Sequence, residues 1–353
     1  MKHRIKLGLR DLWSRLLFHT GLYRAVDRYM PRRLLILAGH CVETSSNAGL
    51  PADMKISEAK LRQVLGSLGK RFELCTIGAG VRSLTGERPG RSMVALSMDD
   101  GYRDNHSALV PIMKSFGATA TVFLESRVLD ERRLNWSHKY FWLLRSMDPD
   151  QVGRQLMNAL SDEELSERIR RVLEEGGNLA YRLKRMLKYD APPEIRDPAL
   201  DSVFRAHGGD EGELCDALYM SWDEVKSMAS DGFELGGHTV NHPVLSTLEP
   251  AAAAREVEEG RAALATELGD SALESFAYPF GRRWDFDGST VDAVRGAGFR
   301  SAVTTHSGVN TKDSDPYRLA RWMIDEDTPL HLLVTEASGG FAFLRRFGLD
   351  LTE

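Results

Sequence analysis

Asp99 and Asp100 stand side by side before Gly101, and His238 and His242 stand four residues apart before Pro243. Two neutral imidazoles need only a carboxylate to complete a three-ligand site for a divalent cation with positions left open for water. A spacing of four would bring both imidazoles to one face of a helical turn, and that local geometry is expected here. A third segment, Phe276-Ala277-Tyr278-Pro279-Phe280-Gly281, ends an apolar run with Pro and Gly and would lay backbone against whatever the site binds. Each piece alone has an ordinary explanation. Asp-Asp-Gly makes turns and helix N-termini, and paired histidines cap or decorate surfaces.

What raises these pieces above the ordinary is their placement. Asp99-Asp100 follows the apolar run 93–98, His238 follows 233–235, and Tyr278 closes 274–278. Similar short runs at 34–38, 119–124, 300–304 and 318–324 suit buried parallel strands. Helical patterns lie between them at 58–68, 107–116, 222–230, 251–268 and 291–297. Alternation of this kind defines an α/β fold, open or barrel, and such folds hold their sites at the carboxyl ends of the strands. One stretch breaks the alternation. Residues 137–220 are rich in Glu, Arg and Leu, carry helical spacing and offer no strand, so they are expected to be a helical insertion. Asn135, Trp136, His138, Tyr140 and Trp142 at its entry could line a sugar site or simply pack.

The chain is long enough to bury a sizeable core, and its formal net charge of −5 carries no basic field of the kind nucleic acids need. Its three cysteines, Cys41, Cys75 and Cys215, are far apart and form neither a disulfide framework nor a zinc cluster, which fits a reducing compartment. Residues 1–33 hold nine Lys/Arg against two Asp, with leucines interleaved. No h-region of a signal peptide follows, so the arm reads either as a surface helix on its own domain or as a peripheral membrane contact. A cytoplasmic location, peripheral at the inner membrane face, is the expectation.

In this order, Asp-Asp-Gly, His-x-x-x-His-Pro and Tyr-Pro-x-Gly at three strand ends resemble the polysaccharide deacetylases, the NodB-homology or carbohydrate esterase family 4 group. The resemblance covers most of residues 34–330 apart from the insertion. It implies an irregular (β/α)7-type barrel, within a chain divided into an arm (1–33) and a barrel (34–353) interrupted by the helical insertion at 137–220. It also implies that Asp99 is the catalytic base and that Asp100, His238 and His242 hold a divalent metal, with zinc the first choice and cobalt or nickel as alternatives. The chemistry agrees: a carboxylate neutralised by a cation cannot serve as base, while its neighbour can take a proton from water that the cation acidifies. The family's oxyanion donor is matched by the backbone N–H of Tyr278.

Many relatives take their general acid from a C-terminal strand, and no match occurs here. A branch of the family has a Tyr-His-x-Val strand end near its start, and Gly39-His40-Cys41-Val42 is similar, with Gly for Tyr. His40 is therefore the candidate acid, against the alternative of a strand-end cap. Ser97-Met98 replaces the family's Thr-Phe, a change expected to alter packing only. The Arg that relatives place before Tyr-Pro to hold the catalytic Asp is absent. Arg321 could supply that charge, or make a plain ion pair. His306 and His331 read as bland.

The implied activity is metal-dependent hydrolysis of an acetyl group, N-acetyl first, from a sugar or glycan of cell-surface polysaccharide assembly, with a lipid-linked substrate suiting the basic arm. Two alternatives stay open: an O-acetyl esterase or cyclic amide hydrolase on the same machinery, and an inactive glycan-binding module.

Overall fold

The apolar runs at Leu34 and Met93 have no polar face to offer water, and both become central strands whose every residue is buried. The computed structural model describes residues 2–86, 90–270, 273–349 and 351, with side chains from Lys6 onward. The side chains of Lys2 and Arg4, counted above in the basic arm, lie outside the described residues. The strands are β1 (Leu34–Gly39), β2 (Cys41–Val42), β3 (Lys55–Ile56), β4 (Glu73–Cys75), β5 (Met93–Met98), β6 (Thr121–Leu124), β7 (Glu234–Gly237), β8 (Ser275–Ala277), β9 (Ser301–Val303) and β10 (Trp322–Met323).

The large sheet runs β10-β1-β5-β6-β7-β8-β9, all parallel, with β4 added to the first half of β5. β1 and β5 pair along their whole length, Leu34 opposite Met93 and Gly39 opposite Met98. A single parallel bridge, Val303 to Leu319, joins the segment before β10 to β9 and brings the curled sheet round on itself. This is the irregular α/β barrel expected, with seven strands on the main path. β4 escaped the sequence reading because three residues that include the exposed Glu73 carry no apolar run. Gly236 is required in β7: a Cβ there would meet the Phe123 ring and the Ser275 carbonyl, both at 2.6 Å.

Helices flank the sheet close to where the periodicity places them, Trp222–Ser230 among them. The stretch expected as one helix over 107–116 instead opens with a wide π turn, Asn105–Leu109, and continues as Val110–Ser115. Pro111 lacks the amide that the ordinary bond to the preceding turn would need.

Between β6 and β7 the segment read as an insertion forms six helices, Trp136–Ser146, Pro149–Ala159, Glu163–Glu175, Leu179–Tyr189, Pro193–Ala206 and Glu211–Leu218. Asp148, Asp162, Asn178 and Asp210 each cap one of them by accepting a first-turn amide. The insertion has a core of its own, with Tyr140, Leu143, Val152, Ile169 and Leu183 buried together. Its entry aromatics serve that packing rather than a sugar site. Trp136 is buried beneath Arg196, 4.4 Å away, Tyr140 donates to the Ala180 carbonyl, and Trp142 meets Phe204 edge to face.

The arm folds as helices Lys2–Thr20 and Tyr23–Tyr29. The first lies along Leu330–Ala337: Asp11 pairs with His331 at 2.8 Å, Trp13 donates to the Gly340 carbonyl, and Leu17 is buried. His331 is thus a docking contact rather than a bland surface histidine. The arm's outer face is another matter, for Leu9, Leu12 and Leu16 are 50%, 65% and 48% exposed.

Candidate active site

β5 delivers Asp99 and Asp100 at its carboxyl end, β7 delivers His238, and the loop beyond carries His242 back to the same point. Asp100 Oδ1 lies 3.3 Å from His238 Nε2 and 3.5 Å from His242 Nε2. Two ligands about 2.0–2.1 Å from a tetrahedral ion stand roughly 3.3 Å apart, so the spacing suits an ion between them. All three donor atoms lie within 4.8 Å of one another, and all three residues are buried.

The donor chemistry fits a cation too. His238 Nδ1 donates to the Ala277 carbonyl at 2.7 Å, which fixes the tautomer and leaves the Nε2 lone pair for a metal. Asp100 Oδ1 is buried and accepts no hydrogen bond, a costly state for a carboxylate oxygen unless a cation answers it. His242 is kept neutral, its pKa pushed down to about 3 by burial.

The two histidines do not share a face of helix, as their spacing had led us to expect. They sit on an irregular loop in which Thr239 and His242 take φ of 69° and 54°. Four of the five non-glycine residues with positive φ among those described are at this site: Asp100, Thr239, His242 and Phe280. Left-handed backbone at such residues costs about 1–3 kcal/mol each and persists only where surroundings enforce it. The enforcement is visible. Thr239 Oγ1 accepts the His242 amide, and Glu256 accepts the Val240 and Asn241 amides at 3.1 and 2.9 Å. Helix Pro250–Leu268 reaches the loop at Gly260, where a Cβ would sit 2.9 Å from the Thr239 carbonyl carbon.

Asp99 faces Arg321. The guanidinium grips both carboxylate oxygens at 2.7 and 2.8 Å and is itself fully buried, so it is no plain surface ion pair. Its Nε donates to the Thr304 carbonyl, and Nη1 also reaches Ser97 Oγ. Ser97 in turn donates to the Leu37 carbonyl, a hydroxyl role that Thr could also fill. Burial would raise the Asp99 pKa, but Arg321 outweighs it and holds the carboxyl below its ordinary value. Two of the roughly four acceptor positions of the carboxylate stay free for a proton.

His40 follows β1 half-buried at the same rim, close enough to lower the pKa of both Asp99 and Asp100. Its Nδ1 is buried without a partner, which a cap of the strand end would not leave. His306 has its carbonyl on the Arg321 amide. Tyr278 does not stand as assigned. Its amide donates to the Val303 carbonyl at 3.3 Å, its hydroxyl to the Tyr317 carbonyl, and its ring stacks on Phe286. Sheet pairing with β9 uses the N–H that an oxyanion would need. Two residues on, the amide of Phe280 has no acceptor among the described residues, and the Phe280 ring meets His242 at 4.7 Å.

Sequence reasoning missed a buried polar chain beside the ligands. Glu125 accepts from Asn135 Nδ2 at 2.8 Å, Asn135 Oδ1 meets His138 Nδ1 at 3.0 Å, and His138 Nε2 meets the Tyr102 hydroxyl, with Tyr219 alongside. Burial pushes the His138 pKa down to about 4 and, with the charge of Asp100, raises that of Glu125. His138 stands three residues from the Asn135 cap, a faint signal that only the fold makes legible.

A model of the polysaccharide deacetylase family matches residues 86–302, well over half of the chain, and the chain belongs to that family. Among curated proteins, the "Putative polysaccharide deacetylase YxkH" of Bacillus subtilis is 19% identical over 82% of this chain and 71% of its own length. The Streptococcus pyogenes deacetylase PplD in complex with acetate superposes with a TM-score of 0.56 at 17% identity, over 87% of this chain and 99% of that one. A de-N-acetylase from Aggregatibacter actinomycetemcomitans gives 0.53 at 16% identity, over 85% and 98%. The solved structures are alike in fold.

Proposed function

We propose that the protein is a metal-dependent hydrolase that cleaves the linear amide of an N-acetylated sugar in cell-surface polysaccharide assembly. The observation that carries this is the buried triplet Asp100, His238 and His242 beside an Asp99 that Arg321 keeps clear of the cation position. A divalent cation held by the triplet would acidify water and polarise the acetyl carbonyl. Asp99 takes the proton of the attacking water, and Arg321 keeps its oxygens in register. His40, at the same rim, is the group to hand a proton to the departing nitrogen. The Phe280 amide replaces that of Tyr278 as the oxyanion donor, since it is uncommitted and adjoins His242. N-acetyl is preferred to O-acetyl because an amine leaves poorly without an acid, and His40 supplies one. The de-N-acetylase among the fold's relatives supports the same choice.

The test is acetate release from nucleotide-linked, lipid-linked and polymeric acetylated sugars, with metal content measured. Loss of activity in chelator and recovery with zinc, cobalt or nickel is expected. Full acetate release by Asp99→Asn or His238→Ala protein would refute the mechanism.

The same reading puts the protein in the cytoplasm against the inner membrane face, working on a lipid-linked sugar. Three free cysteines suit that compartment. No described helix is long and apolar enough to cross a membrane. The arm carries the exposed Leu9-Leu12-Leu16 row, and at its other end an open cavity of about 830 Å³ is walled by Arg24, Arg28, Arg32, Lys70 and Arg91, features that suit an anionic bilayer surface. Helix Lys2–Thr20 runs parallel to Leu330–Ala337, from Asp11 beside His331 to Ser14 beside Thr335, so its start points toward the end of the barrel that holds the site. Co-sedimentation with anionic vesicles that Leu9→Ser/Leu12→Ser/Leu16→Ser abolishes is the expected result. Unchanged co-sedimentation removes the membrane from the reading.

A further inference from the structure

Helix Leu179–Tyr189 of the insertion places two lysines one turn apart over aromatic rings that lead to the site. Lys188 Nζ stands 3.6 Å from the centre of the Phe280 ring, and that ring is 4.7 Å from His242. Lys184 Nζ stands 4.3 Å from the centre of the Phe141 ring, which meets His138 edge to face. Arg282, exposed just after Phe280 and Gly281, adjoins Lys188 through Asp285, which accepts both the Arg282 amide and the Lys188 ammonium.

These cations outnumber the buried carboxylate that could answer them. Asp285 is fully buried, and its oxygens are taken: Oδ1 by Lys188 at 3.2 Å and the Tyr189 hydroxyl at 2.8 Å, Oδ2 by the Arg282 amide at 2.9 Å. Neither the Lys184 ammonium nor the Arg282 guanidinium has a carboxylate within 4.0 Å among the described residues. Lys184 is half-buried against the Phe141 ring, and burial lowers its pKa. A half-buried ammonium without a counter-charge is costly, and a ligand that brings one is bound the more tightly for it.

We propose that Lys184, Arg282 and Lys188 form an anion subsite beside the reaction centre, and that it takes a phosphate ester carried on the acetylated sugar. The subsite lies one aromatic ring from His242, about where a group on the same or the adjoining sugar would fall when the acetyl carbonyl is at the metal position. Phosphate is favoured over a uronate carboxylate. Cations arriving from two separate elements match a tetrahedral anion with three acceptor oxygens better than a planar one with two. The barrel would supply the deacetylation chemistry and the insertion the choice of a phosphorylated substrate. The proposal rests on the deacetylase reading for its setting, and its test is therefore divided.

In the first arm, acetate release is measured on one acetylated amino sugar in three forms: neutral, phosphorylated and bearing a uronate. Wild-type protein is expected to show its lowest KM for the phosphorylated form. Lys184→Gln/Arg282→Gln should raise that KM about 10- to 100-fold, the worth of one or two charge-assisted hydrogen bonds, and leave kcat and the neutral substrate unchanged. In the second arm, glucose 1-phosphate, glucuronate and glucose, none of which carries an acetyl group, are titrated by calorimetry into wild-type and variant proteins. Binding of the phosphate alone, lost in the variant, supports the subsite even if no acetate is released from any sugar, an outcome that would refute the deacetylase reading only. Equal KM for neutral and phosphorylated sugars, preference for the uronate, or phosphate binding unchanged in the variant overturns the subsite. Should Lys184→Gln lower the melting temperature through lost packing on Phe141, exposed Arg282→Gln alone carries the comparison.

Discussion

Two adjacent carboxylates end β5, and their surroundings could hardly differ more. Asp99 is saturated, with both oxygens on a buried guanidinium that is itself tied to Thr304 and Ser97. Asp100 is starved, with one oxygen buried, unbonded and facing two imidazoles. Residue type is the same, so the division of labour is imposed by neighbours. A carboxylate with a fixed positive partner needs no metal and keeps free acceptor positions for a proton. A carboxylate without one is completed by a cation.

The sharpest way to break that contrast is to remove the starved side. On the proposed mechanism, His238→Ala or Asp100→Ala should lower acetate release by about 10³-fold or more and strip the protein of metal, because a cation held there would supply both the nucleophile and carbonyl polarisation. Elemental analysis beside the assay checks both. Removing the saturated side should separate the two readouts. Asp99→Asn is expected to cost about 10²–10⁴-fold in kcat, the usual worth of a general base, with metal content unchanged. Metal loss in Asp99→Asn would mean that the two carboxylates share one role.

The contrast was half legible in the sequence. Strand runs and their order were readable because buried parallel strands have no polar face to blur the pattern. Asp99, Asp100 and His238 were readable because they close such runs, and His242 because it follows His238 at a spacing of four. What the neighbours do was not. Arg321 lies 222 residues from Asp99, and nothing local distinguishes it from an arginine at the surface. The helical turn expected for the two histidines gave way to a left-handed loop whose shape depends on Glu256 and Gly260 in a later helix. The amide of Tyr278 is engaged in the sheet, where the sequence led us to expect it free. Alternation along a strand cannot say where sheet pairing stops, and it stops after the Tyr278 amide, leaving that of Phe280 free. Lys184 and Lys188 of the insertion were passed over because i, i+4 lysines usually mark a solvated face.

Arg321→Met sharpens the comparison from the partner's side. It leaves Asp99 buried and unpaired, so stability should fall by about 3–5 kcal/mol. Arg321→Met/Asp99→Asn should recover much of that loss, since the stranded charge is gone, although catalysis should not return. Urea unfolding of the four proteins forms a double-mutant cycle. A coupling near zero would show that Arg321 does not hold Asp99.

The smallest expected effect concerns His138, which links the starved side to the insertion. Burial depresses its pKa to about 4 from an ordinary 6.5, so between those values the unfolded chain binds a proton that the folded protein refuses. Stability supplied by keeping this imidazole neutral is therefore present in full above pH 6.5 and lost as pH falls toward 4, by at most about 3 kcal/mol. His138→Gln removes the titrating group while retaining hydrogen-bonding capacity toward Tyr102 and Asn135. Urea unfolding at pH 7 and pH 4.5 should show a smaller acid-side loss in the variant than in the wild type. Equal losses would mean that His138 accepts its proton inside the fold, which the two flanking tyrosine hydroxyls could permit only by turning their oxygens toward it.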